Sequence, residues 1–213
     1  MPKISFKNAL KYLYFPRANH VGDIVVPPLN YLMIDGAGGP ASSAFRQAIA
    51  ALYPMAYALK LMIKKGPLAI DYGVMPLEGL WWAHDMSSFI SGNKDQWLWT
   101  LMIMQPDLIT AALVDEAVVM VKKKKTPSAL SQIRFARYDE GHCAQTLHKG
   151  PFSEEGPTVE RVHAFIASKG CKLNKKHHEI YISDMRGAAL ENWKTVIRQP
   201  MVCGSQNTQR PSR

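Results

Sequence analysis

Glu179 and Tyr181 stand two residues apart in His177-His178-Glu179-Ile180-Tyr181-Ile182-Ser183-Asp184, a run that reads as a β-strand. Side chains alternate across a strand, so Ile180 and Ile182 turn to one face and His177, Glu179, Tyr181 and Ser183 to the other. A carboxylate beside a phenol on a strand face is the equipment of a ligand pocket: the acid can hold a cation or take a proton from water. A solvated outer sheet face is the alternative setting for the same pattern. A second acid lies in Val74-Met75-Pro76-Leu77-Glu78-Gly79-Leu80-Trp81-Trp82, where a regular strand gives Tyr72, Glu78 and Trp82 one parity. Pro76 and Gly79 mark a place where an edge or bulge would change that count. Each half of the chain is thus expected to offer one acid and aromatic rings to a common cleft.

Five tryptophans are many for 213 residues, and Trp81, Trp82, Trp97 and Trp99 fall close together. Their flat surfaces suit an aromatic or cationic ligand, although core filling is the commoner use of any one of them. His148-Lys149-Gly150-Pro151-Phe152-Ser153-Glu154-Glu155 leads from a strand into a helix; Phe152 is placed to reach over the cleft, and Glu155 suits a helix N-terminus. Other chemistries lack their signatures. His142, His148, His177 and His178 show no HxxxH or HExxH spacing, and the two adjacent histidines project to opposite strand faces, so no metal is expected. Cys143 has no oxyanion-loop motif beside it, and there is no GxSxG, phosphate-binding loop or dinucleotide fingerprint; no cofactor is expected.

The formal charge is +9, much of it in Lys122-Lys123-Lys124-Lys125, in Lys172, Lys175 and Lys176, and in the arginines of the tail. The lysine run closes an expected helix over 107–125 whose acids Asp107, Asp115 and Glu116 come earlier, and cations favour helix C-termini. With no aromatic RNA-binding strand signature or finger spacing, no specific nucleic-acid partner is expected. Three cysteines without a CxxC pair argue against a secreted disulfide framework and fit a reducing cytoplasm. The first residues lack the apolar core of a signal peptide, and no apolar run approaches the ~20 residues that span a bilayer, so no membrane partner is expected.

The elements that must position Glu179 come in two similar sets. Tyr31 to Asp35 reads as a strand; Phe45, Ile49, Leu52, Ala56, Leu59 and Ile63 repeat at helical spacing, with Pro54 expected to kink or divide the helix; Ile70 to Leu80 and Trp97 to Met104 read as strands. Ile133 to Tyr138 and His142 to His148 then read as strands joined by a turn at Asp139-Glu140-Gly141, Thr158 to Lys169 as a helix, and the Glu179 strand follows. The pattern predicts an α+β fold with mainly antiparallel pairing, its two halves (26–106 and 127–202) joined by helix 107–125 into a single domain over 26–202. Residues 1–25 read as an N-terminal arm and 203–213 as a tail. Sheets of duplicated units that pair leave a cleft on the pseudo-symmetry axis.

Six segments carry a family resemblance: LYPMAYALK from Leu52, DYGVMPLEGLWW from Asp71, WTLMIMQPD from Trp99, EGHCAQTLHKGPF from Glu140, HHEIYISD from His177 and WKTVIRQP from Trp193. In this order they resemble the GyrI-like small-molecule-binding domain in its stand-alone bacterial form. The family pattern has Tyr where Phe152 stands, and Met185 and Gly187 interrupt its Ser-Asp-Pro-Arg-Arg ending. The resemblance implies two pseudo-symmetric strand-helix-two-strand modules around a central ligand cleft. It also implies an acid, at Glu179, that faces cationic aromatic compounds in regulators of the family. In some stand-alone members it implies hydrolysis of the strained cyclopropane of DNA-alkylating antibiotics. On that basis Glu179 is the expected general base, Tyr181 its positioning or donor partner, Tyr72, Trp82, Trp99 and Phe152 the walls, and Glu78 a second acid. The expected partner is an aromatic or electrophilic small molecule.

Overall fold

A computed structural model describes residues 3–85, 92–124, 126–183, 187 and 189–204. Its strands are β1 (Lys3–Ile4), β2 (Gly22–Val26), β3 (Leu29–Ala37), β4 (Asp71–Tyr72), β5 (Leu77–Trp82), β6 (Leu98–Gln105), β7 (Arg134–Tyr138), β8 (Gly141–Lys149), β9 (Cys171–Leu173), β10 (His177–Tyr181) and β11 (Lys194–Cys203). The helices used below are α1 (Phe6–Ala9), α2 (Lys11–Tyr14), α3 (Ser43–Lys65), α4 (Ala111–Lys124) and α5 (Gly156–Ser168).

Two strand-helix-two-strand modules are present, β3-α3-β5-β6 and β8-α5-β10-β11. The main sheet runs β2-β8-β11-β10-β5-β6-β3-β7, so the modules meet through β10 and β5 and mirror one another outward. All of its pairings are antiparallel. β2 leads into β3 through Pro27-Pro28, yet the two lie at opposite ends of the strand order; β7 and β8 are related in the same way through Asp139-Glu140. A single register explains this. Gly22 faces Gln145, Val26 faces Gly141, Leu29 faces Tyr138 and Met33 faces Arg134, so segments 22–37 and 134–149 form one long antiparallel ribbon. The prolines, which donate no backbone hydrogen bond, sit where the ribbon bends. The sheet therefore curls until its ends meet, and Asp139-Glu140-Gly141 is a bend within the ribbon rather than the hairpin turn expected from sequence.

Helices cover the outer face of this curl. Val162 and Ile166 of α5 pack on Ala144, Ile197 and Met201, and Phe45 of α3 packs on Trp81 and Trp99. Ser42 caps α3 by accepting from the Phe45 amide at 3.2 Å, and Gly66 ends it. The helix runs through Pro54 as one element, without the division expected. Alanines at 48, 51 and 56 are buried, and their small side chains let α3 pack close to its neighbours.

The inner face is closed by the segment that composition marks as an arm. Leu13 and Tyr14 are each 1% exposed and belong to the core. Tyr14 donates to Glu78 Oε1 at 2.7 Å, and the Leu13 carbonyl accepts from Arg198 Nη2 at 2.7 Å. The cysteine count argues against a disulfide framework, but β9 and β11 set Cys171 opposite Cys203 and the two are bonded; Cys143 is free and buried. No helix among the described residues is long and apolar enough to cross a membrane.

Candidate functional site

The seam between the modules determines what Glu179 meets. In the ladder Glu179 pairs with Gly79 on one side and Ile197 on the other, while Tyr181 pairs with Thr195. Alternation puts Glu179, Tyr181, Trp81 and Gly79 on the outer, helix-covered face. A Cβ on Gly79 would lie 2.9 Å from Trp81 Nε1 and 3.0 Å from the Tyr181 hydroxyl, so the glycine leaves the room in which those groups meet. Trp81 Nε1 donates to the Tyr181 hydroxyl at 3.0 Å, and Tyr181 donates in turn to Glu179 Oε2 at 2.8 Å. His177 Nε2 stands 3.5 Å from Glu179 Oε1. The Glu179 side chain remains 17% exposed, open to a ligand yet held at both oxygens.

Aromatic rings extend this cluster across the seam. Trp193 lies 5.1 Å from Phe152, and Phe152 meets the edge of Tyr181 at 5.6 Å. On the other side Trp81 stacks on Phe45 at 5.7 Å and meets Trp97 edge-on at 5.9 Å. The partly exposed members of the row, Phe152, Trp97 and Trp193, are those that can meet a flat ligand beside the carboxylate, with Phe45, Trp81 and Tyr181 buried behind them.

Glu155 approaches from the start of α5. It is 6% exposed, lies beside Thr195, and its Oε1 is buried with no partner. Burial first, and the neighbouring Glu179 charge second, push its carboxyl up to about 9 against the opposing effect of Thr195. The site thus holds two carboxyl groups in different environments, the arrangement that divides acid from base. Burial, then Glu179, raises the Tyr181 phenol well above its ordinary range, so its proton stays in the bond to Glu179.

The structure brings together Glu179, Tyr181 and Phe152 of the residues predicted from sequence, and sets the others apart. Glu78 pairs with Ile180, not with Glu179, and so points to the inner face, where it is 0% exposed. There Glu78 Oε2 lies 3.1 Å from His178 Nε2, close enough for an ion pair but without hydrogen-bond alignment. His178 Nδ1 is 2.8 Å from Glu140 Oε1, and Arg198 donates to Glu140 Oε2 at 2.9 Å and to Gln145 at 3.0 Å. Trp82 shares that inner parity and carries Lys176 over its ring at 3.1 Å. Tyr72 is buried in β4 against Phe6, because Gly73 to Pro76 separate β4 from β5 and break the expected parity. Trp99 does face the Glu179 side, but it is 1% exposed beneath Phe45, donates to the Gly38 carbonyl at 3.1 Å and fills the space over Gly36. Trp81, Trp193 and Glu155 are the members that the sequence left unassigned. The cross-strand register Glu179 to Gly79 is what selects Trp81 over Trp82, and a single chain's periodicity does not contain it.

A cavity of about 550 Å³ opens elsewhere, between α3 and α4, lined by Ala50, Pro54, Tyr57, Met120 and Lys124 among others. It contains no acid and lies away from Glu179. Among the described residues, no group of three His, Cys, Asp or Glu side chains is placed to share a metal ion.

A curled antiparallel sheet of two mirrored modules, with an acid and a row of rings at the seam under the two long helices, defines a small-molecule-binding α+β domain. The chain belongs to the GyrI-like small molecule binding domain family, whose pattern matches residues 24–201. It is similar to an uncharacterized conserved protein of Listeria innocua, 38% identical over 93% of this chain and all of that one, with a TM-score of 0.87. A second Listeria innocua protein, described as a hydrolase, is 37% identical over 93% of this chain and all of that one, with a TM-score of 0.82. The C-terminal domain of EcmrR shares the fold alone: 15% identity over 87% of this chain and 98% of that one, with a TM-score of 0.54. No protein of curated function matches the chain.

Proposed function

We propose that this protein is a cofactor-independent hydrolase that opens strained, electrophilic rings conjugated to an aromatic precursor, as in cyclopropanoid genotoxins, and so detoxifies them. The observation that carries the reading is Glu179, partly open to solvent at the end of a Trp81–Tyr181–Glu179 hydrogen-bonded chain and bordered by rings. A cyclopropane fused to a dienone needs little more than a placed water and a base, because opening the ring restores an aromatic phenol. Glu179 takes the water's proton; Tyr181, whose own proton points at Glu179, orients the carboxylate; the partly exposed Phe152 and Trp193 hold the flat substrate, and buried Trp81 steadies Tyr181. The Listeria innocua relative described as a hydrolase supports the reaction class. The reading puts the protein in the cytoplasm, ahead of the DNA that such electrophiles alkylate, with no nucleic-acid partner of its own.

A second reading is favoured by the row of rings itself: a carboxylate among aromatic faces also suits a non-catalytic binder or sensor of cationic aromatic compounds. Incubation with the parent spirocyclopropyl cyclohexadienone separates the two. Hydrolysis yields a product one water heavier, at a rate proportional to protein and over many turnovers. The binder leaves the dienone unchanged above its spontaneous decay, while crystal violet still binds.

A further inference from the structure

Ring opening leaves an electron pair on the dienone oxygen, and neither Tyr181 nor Trp81 is free to supply its proton. Tyr181 donates to Glu179, and Trp81 donates to Tyr181. Glu155 is placed differently. It stands at the N-cap of α5 and makes no side-chain bond to the first helical amides. Its side chain turns instead toward Thr195, which the ladder sets between Tyr181 of β10 and His148 of β8. One of its oxygens is buried with no partner. A buried carboxyl with an unpartnered oxygen beside a base is a group waiting for a ligand atom.

We propose that Glu155 is the general acid of this site, donating its proton to the dienone oxygen as the ring opens, while Glu179 accepts one from the attacking water. The step balances. The water oxygen bonds to the cyclopropane methylene, the carbon–carbon bond breaks, its electron pair moves through the ring to the carbonyl oxygen, and that oxygen takes the Glu155 proton. The proton on Glu179 returns to Glu155 through solvent, and the parent dienone becomes a hydroxyethyl phenol. The groups that act on Glu155 are Glu179 and Tyr181 from β10 and Thr195 from β11. The assignment rests on the hydrolase reading and extends the substrate class to electrophiles whose opened ring leaves charge on oxygen.

The test is Glu155→Gln, read in two ways. Carboxyl carbon-13 NMR of the free wild-type protein shows one glutamate titrating near 9, and the variant lacks it. With the parent dienone, wild-type turnover falls as pH rises through that value, because the acid must be protonated to act. The variant turns over ~10²-fold more slowly at neutral pH and loses the alkaline fall. A variant with full turnover and an unchanged profile overturns the acid role while leaving Glu179 as base. Absence of any glutamate titrating in the alkaline range overturns it as well. Wild-type protein that opens no dienone removes the hydrolase reading and the acid role together, and the NMR titration then reports the state of Glu155 alone.

Discussion

At the scale of single residues, Glu155 and Glu179 have different surroundings although they share one site. Glu155 is held protonated by burial and then by the charge of Glu179, so removing that charge should ease its ionisation. Glu179→Gln is expected to lower the Glu155 titration from about 9 toward its ordinary range, as read by carboxyl NMR; an unmoved titration would mean the two groups do not interact. Glu179 and Tyr181 were legible in the sequence because a spacing of two on a strand fixes a common face. Glu155 was not, since an acid at a helix start has an ordinary explanation in the helix dipole. The fold buries it beside Thr195 with one oxygen unpartnered and no cap bond made, which periodicity does not foretell.

The elements were legible in kind, and less so in their pairing. The strands, the two long helices and the duplicated order follow from periodicity. The register that sets Gly79 beside Glu179 does not, because a slip of one residue turns every side chain to the other face. This is why the sequence offered Glu78 and Trp82 to the cleft where the sheet delivers Gly79 and Trp81. The ribbon of β2-β3 with β7-β8 was hidden for a related reason: a two-residue link reads as a hairpin unless the partner strand is known. Gly79→Ala tests the seam. Its Cβ would press on Trp81 Nε1 and the Tyr181 hydroxyl, separating the pair that orients Glu179. The expected result is turnover reduced ~10²-fold with stability lowered by only ~1–3 kcal/mol, measured by steady-state kinetics and urea unfolding. Unchanged turnover would show that the Trp81–Tyr181 bond is dispensable.

At the scale of the whole molecule, the buried network on the inner face ties the modules and the N-terminal segment together, with Glu78 from one module, His178 and Arg198 from the other, Glu140 from the ribbon and Tyr14 from α2. Burial alone would raise Glu140, but the His178 and Arg198 charges outweigh it and hold the carboxyl at about 2 against an ordinary 4.5. Its contribution to stability is therefore present above pH 4.5 and lost as pH falls through about 2. Burial would lower His178, but Glu140 and Glu78 raise it, so its share is present below the ordinary histidine range and lost as pH rises through the raised value. Tyr14→Phe leaves a buried Glu78 oxygen without its donor and should cost ~1–3 kcal/mol in urea unfolding, whereas no loss would mean the N-terminal segment is not part of the core. Detoxification of an electrophile by the intact protein is the claim on which the rest depends, and one measurement addresses it most directly: turnover of the parent spirocyclopropyl cyclohexadienone in oxygen-18 water by wild type and Glu179→Gln. The expected result is multiple-turnover formation of an alcohol carrying the solvent oxygen, slowed by ~10²-fold or more in the variant, with dienone binding retained in both. Equal rates of labelled product in the two proteins would contradict it.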